Sequence, residues 1–181
     1  ALTVMFTVAA VTSTRRVVWS PSRFAIVAGS MAIGVGITLT TVFGVGALEF
    51  SPRYALALGG IVIGGAMSVA TLAGRRLAQA THERWDEIEG WLALGATPRQ
   101  ATAELGRHAI YEALVPSLDQ TKTTGLVTLP GAFVGAIFGG AAPLEAGRFQ
   151  LIVLASIMTA GAITAVLMVY VVAPRMYAKG P

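Results

Sequence analysis

The chain has 181 residues, 55% of them hydrophobic and 12% charged, with no cysteine and a formal net charge of +4. A mean hydropathy of +0.71 excludes an ordinary soluble domain, and the missing cysteines exclude disulfides and thiolate metal centres within the chain. The basic balance does not point to nucleic acid, because the arginines collect at the margins of apolar runs, as they do at membrane borders.

Residues 1–14 form a first apolar run, with neither the basic start nor the cleavage site of a signal peptide. It is expected to be the tail of a spanning helix that begins upstream. Uncharged runs follow at 24–48, 54–74, 123–144 and 149–174. Each reaches the roughly 20 residues that carry a helix across a ~30 Å hydrocarbon core. The expectation is an all-α, polytopic membrane bundle with about five transmembrane helices in a single domain over residues 1–181. Arg15, Arg16 and Arg23, then Arg75, Arg76 and Arg84, then Arg175 and Lys179 fall on alternate connections. The loops at 15–23 and 75–122 and the C-terminus are therefore expected on the cytoplasmic side. The short turns near 49–53 and 143–148 are then external.

The segment at about 80–118 is the one sizeable polar stretch and reads as two helices. Trp85, Ile88, Trp91 and Leu92 give the first, from Glu83 to Leu94, an apolar face. Gly95 fits the position just past its end. Thr97, Pro98 and Gln100 then form a restart signal, in which threonine caps, proline takes the first helical position and glutamine returns the hydrogen bond. The second helix is expected to reach about Leu114 and end near Pro116. Trp91 and Trp85 on so small a loop favour docking of a cytoplasmic partner, since aromatic side chains are common interface anchors.

Glu104, His108 and Glu112 share a helical stripe with spacing that could hold a divalent metal. A solvated helix face is the commoner meaning of such a stripe, and no metal site is assigned, nor at His82 beside Glu83. The two lysines, Lys122 and Lys179, do not end a phosphate-binding G-x-x-x-x-G-K-[ST] loop. No nucleophile–histidine–acid or metalloprotease pattern occurs, so an enzyme is not expected. The apolar runs hold no ionisable side chain, which argues against a pump or coupled transporter working alone.

The run at 123–144 is repeatedly interrupted by glycine and proline. Gly131, Gly135 and Gly139 line one side of a helix, and Gly60 and Gly64 repeat the spacing. Small-xxx-small ridges let helix backbones approach in lipid. Pro130 removes a helical hydrogen bond and bends the helix or starts a new one. The reading is a tightly packed, bent helix beside a pathway or moving seam, a rigid packing seam being the plainer alternative.

The stretches "LALGATPRQA" and "ALVPSLDQTKTTGLVTLPGAFVGAIFGGAAPLEAGRFQ" resemble the signature region of FetB-type ABC transporter permeases, a bacterial family linked to iron export. The resemblance runs from about residue 52 to 172. It implies a multi-pass permease of the bacterial inner membrane, as a homodimer paired with separate ABC ATP-binding subunits that hold ATP and magnesium. This chain would need no cofactor of its own. Glu89, Trp91, Gly95, Ala96, Thr97 and Pro98 would form the ATPase-coupling corner. Gly60, Gly64, Met67, Pro130, Gly131, Gly135 and Gly139 would form the packing seam or pathway. Many members read "LPGMMTGQ" where this chain has apolar residues at 132–134 and 136, which leaves Met67 among few soft metal contacts. The implied function is ATP-driven export of metal ions such as iron. A membrane scaffold that docks a cytoplasmic protein and a self-contained channel are the alternatives.

Overall fold

The computed structural model describes residues 1–17, 21–125 and 129–176. They form eight α-helices: α1 (Leu2–Val17), α2 (Pro21–Gly44), α3 (Pro52–Glu83), α4 (Trp85–Ala93), α5 (Pro98–Ala101), α6 (Ala103–Thr123), α7 (Gly131–Phe138) and α8 (Pro143–Met176). The all-α membrane bundle expected from the sequence is what the chain forms. Lys179 and the segment 126–128 lie outside the described residues, as do the side chains of Arg23 and Arg175.

The helix boundaries follow local chemistry. Ser51 caps α3 by accepting from the Tyr54 N–H at 3.3 Å, with Pro52 in the first turn. Gly46, Gly95 and Gly140 adopt φ of 72°, 89° and 87° just past the ends of α2, α4 and α7. At each, the next two N–H groups fold back on the last helical carbonyls, as in Ala96→Trp91 and Gly95→Leu92 at 3.0 Å each. Only glycine takes this left-handed turn at little cost.

The centre of the bundle is the pair α3 and α8. A Cβ on Gly65 would meet Ile157 at 3.0 Å, and one on Gly161 would meet Val69 at 3.1 Å. Four residues on in one helix is thus four residues on in the other, so the two run parallel. Tyr54 and Phe149 stack at their starts, with ring centroids 5.7 Å apart. Helix α1 also runs parallel to α3. Leu2 packs on Gly59, Thr71 donates to Ser13 at 3.1 Å, and the Arg75 guanidinium donates to the Arg16 carbonyl at 3.2 Å. Helix α2 runs the other way, with Gly34 pressed on the Ala160 carbonyl and Thr164 of α8. In lipid such close packing and buried hydroxyl bonds stand in for a hydrophobic driving force.

Among the described residues, three helices are long and apolar enough to cross a membrane: Phe24–Gly44, Pro52–Glu83 and Pro143–Ala173. The first expected span is the 16-residue α1. The span expected over 123–144 is not one helix. Thr123 closes α6, Pro130 caps the 8-residue α7, and a glycine turn at Gly139–Gly140 precedes α8. Eight residues rise about 12 Å, far short of a bilayer.

The polar segment also differs from a detached hairpin. Helix α3 continues to Glu83, and Arg84 alone separates it from α4. The second helix does not end near Pro116 but runs to Thr123 with Pro116 inside it. Its Leu105, Gly106, Ala109 and Ala113 are buried, and Glu112 pairs with Arg76 of α3 at 3.0 Å. Both partners of that pair are nearly half exposed, so the contact orients α6 more than it stabilises it.

The expected close packing along Gly131 and Gly135 is not found, because a Cβ at either would meet nothing within 4 Å. Gly64 is open too, whereas Gly60 contacts Met5 of α1. The close approaches lie at Gly34, Gly65, Gly106 and Gly161. Gly34→Leu should therefore lower the melting temperature in detergent, with overpacking costing about 1–3 kcal/mol, while Gly135→Leu should leave it near the parent value. Equal losses in a fluorescence melting assay would contradict this assignment of the packing glycines.

Candidate functional sites at the two ends of the bundle

At the basic end, α4 and α5 make a rigid corner. Thr97 and Gln100 form the reciprocal box: the Gln100 carboxamide oxygen accepts from the Thr97 N–H at 2.8 Å, and the Thr97 hydroxyl accepts from the Gln100 N–H at 3.4 Å. Pro98 occupies the first turn. Ile88 is buried against Ala101 and Leu105, with Ala80 and Leu92 packed around them. This second, small core holds α4 to α5 and α6. Trp85 donates its indole N–H to Glu89 at 2.9 Å, and Arg84 grips Glu87 at 2.6 Å.

Trp91 and Leu94 stay outside that core, 52% and 83% exposed. With Gly95, Ala96 and Gln100 they line an open hollow of about 370 Å³. Five of the six corner residues named from sequence thus meet on one surface feature or its cap, while Glu89 holds the neighbouring indole. A large aromatic and a leucine on a locked corner can anchor a partner without first being ordered, which is the main entropic cost of binding through a loop.

At the other end, α3, α7 and α8 enclose a cleft of about 390 Å³. Arg53, Tyr54, Glu145 and Phe149 line it, and Gly131, Gly135 and Gly139 form its α7 wall. A Cβ on Gly139 would collide with the Arg53 guanidinium at 2.5 Å, so this glycine admits the arginine. The Gly131–Gly135 part of the ridge therefore faces space, while Gly139 meets the Arg53 side chain of α3. Gly60, Gly64 and Met67 lie on α3 outside the cleft wall, and Pro130 sits at its α7 rim.

The Glu104–His108–Glu112 stripe does not bring its three side chains together with further ligands. Glu112 is held by Arg76, and no group of three possible ligands occurs among the described residues.

Sequence reasoning missed two features. Gly106 packs on Val169 and Leu114 lies against Gly161. Eight residues on in α6 is eight residues back in α8, so the two are antiparallel. Carried on at that register, Asp119 falls level with Ser156, close to the middle of the Pro143–Ala173 span. A polar run read as loop thus lies at membrane depth. The second feature is Gln150, which is 6% exposed with an Oε1 that has no partner. It sat unnoticed inside an uncharged run, although a carboxamide there was a visible signal.

The fold defines a polytopic helical membrane protein with an exposed, capped corner at one end. The chain belongs to the family described as uncharacterised protein family UPF0014, which it matches over residues 1–177. It is similar to the UPF0014 membrane protein STAR2 of Oryza sativa subsp. japonica, with 37% identity over 96% of this chain and 61% of the relative. It is also similar to the Arabidopsis thaliana protein ALUMINUM SENSITIVE 3, at 34% over 97% and 64%. A third relative is the probable iron export permease protein FetB of Escherichia coli (strain K12), at 34% over 82% and 57%. The chain spans less than two thirds of the length of these relatives. No solved structure matches it.

Replacing Thr97 and Pro98 together by glycine should remove a cap worth about 1 kcal/mol and free the start of α5. Amide exchange over 97–102 should then speed up several-fold while α3 and α8 stay protected. Unchanged exchange at the corner would mean that the box does not set its rigidity.

Proposed function

We propose that the chain is the permease subunit of an ATP-driven transporter that exports metal cations such as iron, coupled through the α4–α5 corner to a separate ATP-binding subunit. The observation that carries this reading is the corner itself: exposed Trp91 and Leu94 on a doubly capped turn, at the end of the bundle where Arg15, Arg16, Arg75 and Arg76 collect. The arginine bias makes that end cytoplasmic, where an ATPase would be met. The name of the Escherichia coli relative, an iron export permease, supports the cargo and the direction. The chain's own lack of a nucleotide-binding loop leaves ATP and magnesium to the partner.

In the working cycle, a partner that closes on ATP pushes a corner that cannot absorb the motion internally. The small core around Ile88 passes the push to α6, and α6 lies along both α3 and α8. Rigid-body movement of one packed element against another is a standard way to open and close a site. Two permease chains and two ATPases would complete the assembly, in a bacterial inner membrane.

The test is reconstitution with the ATP-binding subunit in inverted vesicles, measuring ATP-dependent uptake of iron and manganese. Trp91→Ala should weaken ATPase binding by about 30-fold or more, the effect of losing an anchor worth roughly 2 kcal/mol, while the chain still inserts. Cation flux that needs no ATP would make the protein a channel. ATPase or other protein binding with no flux would make it a scaffold.

A further inference from the structure

The register of α6 raises a problem that the bundle alone does not solve. Past Leu114 the helix leaves its packed groove. Pro116 and every residue from Leu118 to Thr123 are exposed, and the segment is polar: Asp119, Gln120, Thr121, Lys122, Thr123. The side chains of Asp119 and Lys122 are 63% and 77% exposed and stand 4.0 Å apart. Thr121 and Thr123 turn their hydroxyls onto the carbonyls four residues back, at 2.9 Å each. A carboxylate and an ammonium at the middle of a bilayer are costly against lipid and face water or protein instead. Non-helical backbone at that depth obeys the same rule, and the helix stops at Thr123.

Two further features continue the line outward. Gln150 lies eleven residues, three helical turns, from Gly161, so it shares the α8 face on which Leu114 packs. By the same register it is level with Gly125, just beyond Lys122. It is 6% exposed and its Oε1 has no partner. Next comes the cleft of about 390 Å³, with both Arg53 and Glu145 in its wall and open space over Gly131 and Gly135.

The geometry points to a water-lined cation path along the broken α6–α7 crossing, with Asp119 as the carboxylate that a permeating divalent cation contacts at mid-depth. The inference rests on the permease reading and adds a site to it. The cation displaces the Lys122 ammonium, whose 4.0 Å contact is at the limit of an ion pair. It then leaves toward the cleft, past the level of the buried, uncommitted Gln150 carboxamide oxygen. Carboxylate and carboxamide oxygens without thiolates suit a hard or borderline divalent ion.

The cysteine-free background allows a direct test. Thr123→Cys puts a single thiol one helical turn from Asp119. In open membrane sheets carrying the full-length protein, a membrane-impermeant, positively charged methanethiosulfonate should label it, and manganese(II) should slow the labelling. Adding Asp119→Asn should keep the labelling and lose the manganese effect, while Asp119→Glu should keep both. Absence of labelling would overturn the proposal, because the segment would then be covered by protein or lipid. Manganese protection that survives Asp119→Asn would overturn it too. The labelling needs no ATPase, so manganese protection in a protein without ATP-driven flux would refute the transporter reading and leave the site standing.

Discussion

The parallel packing of α3 against α8 governs the rest of the molecule. Gly65 and Gly161 set the distance between the two helices, and their common direction follows from that register. Both helices start at the end marked by Tyr54 and Phe149. The chain leaves α3 at the opposite end and must come back before α8 can begin. Everything from Arg84 to Ala142 is therefore one return journey. The cap chemistry of α4 and α5 turns the chain around, and α6 starts it back in the groove between α3 and α8.

That return is unlike the other crossings. Helix α3 stays uncharged from Tyr54 to Gly74, and α8 from Phe149 to Pro174. Helix α6 instead begins with a buried stripe of Leu105, Ala109 and Ala113 and ends in charged and hydroxyl side chains. The crossing is finished by the short α7, whose glycines face a cleft. A bundle needing only an anchor has no use for such a segment, since each exposed charge at that depth opposes insertion. Its presence gives the return crossing a chemical role, and the corner at α4–α5 sits at its upstream end. In the proposed reading, docking and passage thus lie on one continuous piece of chain.

Much of this was legible in the sequence wherever the signal was local. Thr97, Pro98 and Gln100 announced a box that the structure forms, and Gly95 announced the turn before it. The three long spans were visible as uncharged runs. What failed was every inference that needed to know what stands opposite. The four-residue spacing of Gly131, Gly135 and Gly139 describes one face of a helix, but not whether a helix or a cleft meets that face. Gly34, Gly106 and Gly161, which do meet neighbours, have no other glycine four residues away. The polarity of residues 117–122 suggested a loop, because depth in the membrane is set by the register of α6 on α8 and not by composition. Uncharged stretches mark where a helix can face lipid, so a crossing shielded from lipid escapes them.

The most direct measurement is the solvent accessibility of a spin label at Gln120, compared with one at Ala155, an exposed residue of α8 at the same level. Both can be placed singly in a chain without cysteine. The account predicts that the label at 120 relaxes mainly through a polar nickel chelate and the label at 155 mainly through oxygen dissolved in the bilayer. Oxygen-dominated relaxation at both positions would put α6 in lipid and contradict a water-lined crossing.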